Sequence, residues 1–569
     1  MAPPIPSAEL RLSYPLYAVD FDPEDANRLL VGGGGGAARS GVGNKITLLD
    51  ASHDGSLQIA SEIELSRDED SVNTLAVGPR RGGSVVFYTG INSAEEDLNK
   101  GKNEHFRVFT ADLPSKATAD AKIAELSRSA LFSTTDTEAY QRLLKVSGQV
   151  GAAATGTIGR STDPQIAIFD IPAAGSSSPA PKLRGKVELV REAMDMDIIQ
   201  ISDDEHQLIY CDEYDVYTLI IGKSGTSGPH SVFTMPHDES SGAKARPSLR
   251  CIRFLTPTFA LAVANLPKAS GAVLQGFRLP KIADLGKEEK EGRARLALSA
   301  HLPKRIPRAT GMAVRNLSPP ATPSTPAGDT QFAVAVTGQD SSITLYTLDH
   351  QTVGDVNLIA NLHPITTLKE VHQGPISGLA FSKAPPSSSS SSSPQKSPHL
   401  KLASIGSMAN TCVVHSLPLK RLPPSGRSVL ALKSRKPSAR NFFLGSALFF
   451  ALLALLLQGV LEVQGLARPV VGARGVTPVR WHKPGLYYGL ATEQQPAVPS
   501  PLLPGGGEEA GLFRAVPGPG VGRGEGGGGP APRHRGGGSS GGGHDEERHG
   551  RAQGWEELPE SQRRRGRRS

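Results

Sequence analysis

His372-Gln373-Gly374-Pro375-Ile376-Ser377-Gly378-Leu379-Ala380-Phe381-Ser382 decides the fold, together with its continuation in Lys401-Leu402-Ala403-Ser404-Ile405-Gly406-Ser407 and Thr411-Cys412-Val413-Val414-His415. Its apolar runs are short and divided by Gly, Ser and Asn, which is the pattern of strands joined by tight turns. Between the first two runs lies a serine tract at 387–393, expected as part of a low-complexity surface loop over 383–399. The same unit of strand, turn, strand, turn, strand recurs toward the N-terminus. It is seen at 333–346, at 252–274, at 193–219, at 143–170, at 72–109 and at 17–49.

The blocks at 372–382 and 401–415 resemble a WD repeat, whose unit takes about 40–45 residues. Units of several strands at long, even spacing predict an all-β chain folded as a seven-bladed WD-type β-propeller over residues 1–435. The Trp-Asp dipeptide is absent, since both tryptophans, Trp481 and Trp555, lie later in the chain. A row of unrelated β-sandwiches is the alternative architecture.

One connection stands out. Between strand-like segments at 28–31 and 45–49 runs Val31-Gly32-Gly33-Gly34-Gly35-Gly36-Ala37-Ala38-Arg39-Ser40-Gly41-Val42-Gly43-Asn44-Lys45. Glycine reaches backbone angles closed to other residues, so this density makes the backbone itself the working part. Inward N–H groups would make an anion nest; inward carbonyls would make a cation cage. A phosphate loop needs Lys-Ser/Thr after its second glycine and a helix behind it. Here Val42 and Gly43 follow Gly41, and 45–49 reads as strand, so nucleotide binding by this loop is disfavoured. An exposed floppy connection is the plain alternative.

The formal charge of +7 is carried mostly by the region from Lys420 onward and says little about partners of the propeller. Cys211, Cys251 and Cys412 make no metal spacing and read as small core residues. Asp195 and Asp197 are the nearest approach to paired carboxylates. They alternate along one strand, no histidine joins them, and they read as a solvated face. No cleavable signal peptide is visible in Met1-Ala2-Pro3-Pro4-Ile5-Pro6.

Residues 441–461 form an apolar run of the length that crosses a ~30 Å hydrocarbon core as a helix. Lys420, Arg421, Arg427, Lys433, Arg435, Lys436 and Arg440 precede it closely, so the N-terminal side is expected in the cytosol. The Gly/Pro/Arg-rich remainder, 462–569, is expected to be a disordered lumenal tail.

Taken together, these features resemble the endoplasmic-reticulum WD-repeat exchange factors that activate the Sar-type GTPase at the start of COPII assembly, the family of the prolactin regulatory element-binding protein. The resemblance rests on Tyr14-Pro15-Leu16-Tyr17, on the glycine-rich loop through Gly41-Val42-Gly43-Asn44, and on one membrane helix behind a propeller. It implies a guanine nucleotide exchange factor in the endoplasmic reticulum membrane with a Sar-type small GTPase as partner and no nucleic acid. It also implies a potassium ion held by Gly36, Ala37, Ser40 and Asn44 through carbonyl or side-chain oxygens. Gly41, Val42, Gly43 and Asn44 would then contact the GTPase, with Val42 as the apolar tip. Potassium suits neutral oxygens, and the loop has no Asp or Glu between 31 and 45. Exchange needs no acid, base or nucleophile; it needs tighter binding of the nucleotide-free GTPase. A membrane-anchored propeller scaffold without exchange activity is the alternative. DNA binding is disfavoured by the balanced charge of the propeller.

Overall fold

The computed structural model describes residues 5–484, except 39–40, 53–54, 114–120, 135, 160–162, 173–178, 224, 237–245, 288–289, 386–397, 424–425 and 433–438. Most of the serine-rich loop and everything after residue 484 therefore lie outside the described residues.

The first unit, Met1–Arg435, is a seven-bladed β-propeller. Six blades are four-stranded antiparallel sheets in sequence order; the seventh also carries a short extra strand, Arg427–Leu430. The inner strands are Leu16–Phe21, Thr74–Val77, Ala139–Ser147, Asp195–Gln200, Ser248–Thr256, Ala309–Asn316 and Ile376–Phe381. Each touches the next around a closed ring, the last meeting the first. The N-terminal strand Ser7–Arg11 belongs to the last blade. It pairs antiparallel with Thr411–Leu422, Ser7 opposite His415 and Arg11 opposite Thr411, and supplies the outer strand of blade seven.

Stacking of the blades explains the strand sequences. Middle strands are covered on both faces and read as continuous apolar runs, as in Ser84–Gly90 (SVVFYTG), buried from Val85 onward. Outer strands meet solvent and alternate, as in Gln58–Glu64 (QIASEIE). The core is a series of inter-blade clusters. Between blades five and six, Leu261, Val263 and Leu274 pack against Phe332, Val334 and Tyr346. Cys211, Cys251 and Cys412 are buried free thiols within these clusters, and burial pushes Cys251 and Cys412 up to about 12.

The solvated face expected for Asp195 and Asp197 is instead an inter-blade seam. Asp195 Oδ2 accepts from Ile252 N at 2.9 Å and pairs with Arg253, while Asp197 Oδ2 accepts from Phe254 N at 2.9 Å. Asp20 repeats the device in blade one, accepting from Val77 N at 2.9 Å. Inner strands do not hydrogen-bond to one another as sheets, so a carboxylate reaching across satisfies the neighbouring N–H.

His372 shows what the deciding stretch does. Its Nδ1 lies 2.6 Å from Thr411 Oγ1 and its Nε2 2.8 Å from Ser404 Oγ, tying the loop before blade seven to that blade's middle strands. Burial holds His105, His372 and His415 down at about 4. Unfolded histidine titrates near ~6.5. The folded ring therefore keeps these imidazoles neutral where the unfolded chain would protonate them. Their contribution to stability is complete above about pH 6.5 and is lost as pH falls toward about 4. Thermal melts across that range are expected to show a falling Tm, and His372→Gln is expected to flatten part of the slope.

The second unit, Lys436–Ser569, contains helix Ala439–Val463. Its 21-residue segment Phe443–Val463 contains an 18-residue window of mean hydropathy 2.2 and carries exposed apolar side chains, which makes it a candidate membrane span. Residues 464–484 begin the stretch that the sequence places in a disordered tail and are the part of it that is described. They turn back so that Glu462, at the helix end, accepts from Val471 N at 2.7 Å and Ala473 N at 2.9 Å.

Candidate functional site

The glycine loop, 34–44, joins the second and third strands of blade one, Arg28–Gly33 and Lys45–Asp50. It emerges on the ring face that also carries the connections between successive blades. Its base is built by the other piece of sequence that carries the resemblance. Pro15 O accepts from Gly34 N at 3.0 Å, and a Cβ on Gly33 would stand 1.9 Å from that same oxygen. Tyr14, fully buried, bonds Thr47 Oγ1 at 2.6 Å on the strand leaving the loop.

Two glycines are dictated by the fold of the loop. Gly34 has φ +141, and a Cβ there would lie 2.2 Å from Asn44 Oδ1. Gly36 has φ +67, a left-handed conformation that disfavours any side chain. Gly41 is also left-handed but faces open space and is exposed, as are Ala37 and Ala38. The exposed described residues of the loop are thus Ala37, Ala38 and Gly41. Ser40 and Arg39 lie outside the described residues. Val42, expected as the apolar tip, is half-buried. It packs against the cluster containing Leu12, Tyr14 and Leu29.

Asn44 holds the loop shut. It is fully buried. Its Oδ1 accepts from Gly36 N at 2.9 Å, and its Nδ2 donates to Ser66 O at 3.0 Å and Glu69 O at 2.9 Å. One side chain therefore bridges the start of the loop, its end, and the segment leading into blade two.

That segment is fixed in turn by charge. The Glu69 carboxylate receives Arg107 Nη1 and Arg128 Nη1, each at 2.6 Å. Burial opposes the charge of Glu69, yet the two guanidiniums hold its carboxyl below the usual range. Arg107 is fully buried, and its Nε and second Nη find no partner. Sequence reading missed Glu69 and Arg107, whose only signal was a charged residue, Arg107, inside an otherwise apolar strand.

Asp70 comes next. A Cβ on Gly36 would lie 3.1 Å from its Oδ1. The carboxylate accepts from Ser71 N at 2.8 Å and Asn73 Nδ2 at 3.1 Å, and no ion pair reaches it among the described residues. Burial raises its pKa. The loop itself contains no acid, but the fold delivers one beside Gly36. The polar groups around Gly36 are thus Asn44 Oδ1, which already accepts from Gly36 N, and the Asp70 carboxylate. No group of three or more His, Cys, Asp or Glu assembles anywhere among the described residues. That leaves a lone carboxylate where calcium usually takes several.

No family model matches the chain, and no curated protein does. Solved structures match at low identity. Sqt1 from Chaetomium thermophilum is 13% identical over 73% of this chain and 98% of its own, with a TM-score of 0.41. Sqt1 from Saccharomyces cerevisiae is 10% identical over 74% of this chain and 100% of its own, also at 0.41. A chain from a structure of COPII on membranes, outer coat vertex, is 10% identical over 76% of this chain and 91% of its own, at 0.44. At these values the likeness says nothing about activity.

Proposed function

We propose that this chain is a guanine nucleotide exchange factor for a Sar-type small GTPase, anchored in the endoplasmic reticulum membrane with its propeller in the cytosol. The observation that supports the reading most is the meeting of Tyr14-Pro15 with the glycine loop. The two short motifs that carry the resemblance build one braced element, through Pro15 O, Gly34 N and Asn44. A floppy connection would need neither the buried asparagine nor the glycine at Gly34.

In this reading the exposed residues Ala37, Ala38 and Gly41 are the surface offered to the GTPase. Exchange is accelerated when the loop contacts the nucleotide-free GTPase better than the loaded form, so its order before contact lowers the cost of binding. Asn44 and Asp70 are the described side chains able to hold a potassium ion, with carbonyls of Gly36 and Ala37 completing the set. The ion would neutralise Asp70 and stiffen the loop. Asn44 orients the loop, and Glu69, gripped by Arg107 and Arg128, orients Asn44.

The test is GDP release from a Sar-type GTPase by the full-length chain in neutral detergent, in potassium and in sodium. Accelerated release, faster in potassium, is the expected result. Unchanged release in both salts sinks the reading. Binding without acceleration identifies a scaffold instead.

A further inference from the structure

The face that bears the glycine loop is electrically lopsided. In blades five and six, two neighbouring connections on this face contain only cations among their charged residues. The connection at 266–271 holds Lys268, and that at 302–308 holds Lys304, Arg305 and Arg308. They are bound together, since Gly271 N donates to Pro307 O at 3.2 Å and Leu302 N to Ala272 O at 2.9 Å. Asn265 Nδ2 donates to Ala309 O at 3.0 Å. All four cationic residues are exposed, and none forms an ion pair among the described residues. Arg250, half-buried beside them, spends its Nε on Thr310 O at 3.1 Å. The nearby Asp340, itself exposed, accepts from Ser342 Oγ at 2.6 Å and is the one acid in the turn beside Arg308. The far side of the same face, in blade two, exposes four acids, Glu95, Glu96, Asp97 and Glu104, against two cations, Lys100 and Lys102, and is net acidic.

Four unpaired cations held on connected, hydrogen-bonded loops cost the fold self-repulsion and return no internal pairing. We propose that Lys268, Lys304, Arg305 and Arg308 form a docking crescent for an acidic surface of the protein that engages the glycine loop. This rests on the exchange reading for the partner's identity, and on the crescent alone for its charge. A bilayer is the poorer occupant, because anionic lipid laid on this face would meet the acids of blade two. A protein of mixed charge can satisfy both sides at once. The crescent would then set the direction in which the partner lands, and would act on encounter more than on residence.

The test uses the full-length chain in neutral detergent micelles. The crescent variant is Lys268→Glu, Lys304→Glu, Arg305→Glu and Arg308→Glu. A control with the same charge change, Lys281→Glu, Lys290→Glu, Arg295→Glu and Lys383→Glu, alters exposed cations on the opposite face. Stopped-flow association with a Sar-type GTPase across a salt series is expected to slow by about tenfold or more in the crescent variant at low salt, with a flatter salt slope. The control is expected to match the wild type. Equal rates and slopes in all three proteins would overturn the crescent while leaving exchange intact. If the wild type neither binds nor activates the GTPase, the exchange reading fails. The crescent is then judged with polyglutamate peptide, whose binding must fall in the crescent variant alone; equal binding by all three overturns it. A concentration-dependent dimer that only the crescent variant loses, with unchanged GTPase association, assigns the patch to a second copy and also overturns the proposal.

Discussion

Asn44→Ala is expected to cut nucleotide exchange on a Sar-type GTPase by roughly one to two orders of magnitude while the ring stays folded. The substitution strands three partners at once: Gly36 N, Ser66 O and Glu69 O. A buried polar group left unsatisfied costs about 1–3 kcal/mol. The loop need not keep that penalty, because it can open and let water in. The cost then appears as a shift from the ordered to the open loop. A bias of about 1.4–2.8 kcal/mol is a ten- to hundredfold change in that equilibrium. The sheet of blade one does not depend on the side chain, so the melting transition should move little. Two measurements check this: the rate of GDP release, and amide exchange across residues 34–44, which should quicken. Release within twofold of wild type, with the loop loosened, would remove the loop from the mechanism.

Glu69→Gln is expected to be the most destabilising single change near the site. Arg107 is fully buried and its one described ion pair is to Glu69. Removing that carboxylate leaves a guanidinium inside the protein with no counter-charge. Breaking a buried pair from one side costs about 3–5 kcal/mol. Arg107→Met is expected to be milder, because Glu69 keeps Arg128 at 2.6 Å as a counter-charge. The double variant should recover part of the loss, since it buries no unpaired charge. Equilibrium denaturation of the three variants separates these outcomes, and equal stability of Glu69→Gln and wild type would refute the account. Because Glu69 O also holds Asn44, the same variant should weaken exchange even where it remains folded.

Much of this architecture was legible in the sequence, and the illegible parts share a cause. Strands buried on both faces announce themselves, as Val85-Val86-Phe87-Tyr88 and Ile166-Ala167-Ile168-Phe169 do. The outer strands, such as Lys182–Glu188 (KLRGKVE), are covered on one side only and carry too little apolar signal. The closing strand Ser7–Arg11 went unread for a further reason. Its partner is about 400 residues away, and no local pattern records a pairing of that range. At the site, the glycine loop and Asn44 were visible as composition. Their dependence on Pro15, Glu69, Asp70 and Arg107 was not, because those residues gather only when blades one and two stack. Asp195 and Asp197 were misjudged for the same reason, since a carboxylate that serves the next blade looks, in sequence, like one that faces water.

The strand Ser7–Arg11 also places this protein under a time constraint during synthesis. It is made about 400 residues before the strand it pairs with, Thr411–Leu422, which is among the last strands of the ring. At about 5–20 residues per second, roughly 20–80 s pass before the partner exists. For that interval the nascent ring has two unpaired strand edges, the kind of surface that recruits other chains. The apolar segment Phe443–Val463 then follows within a few seconds at the same rate. Closure of the ring and arrival of the membrane span are therefore nearly simultaneous.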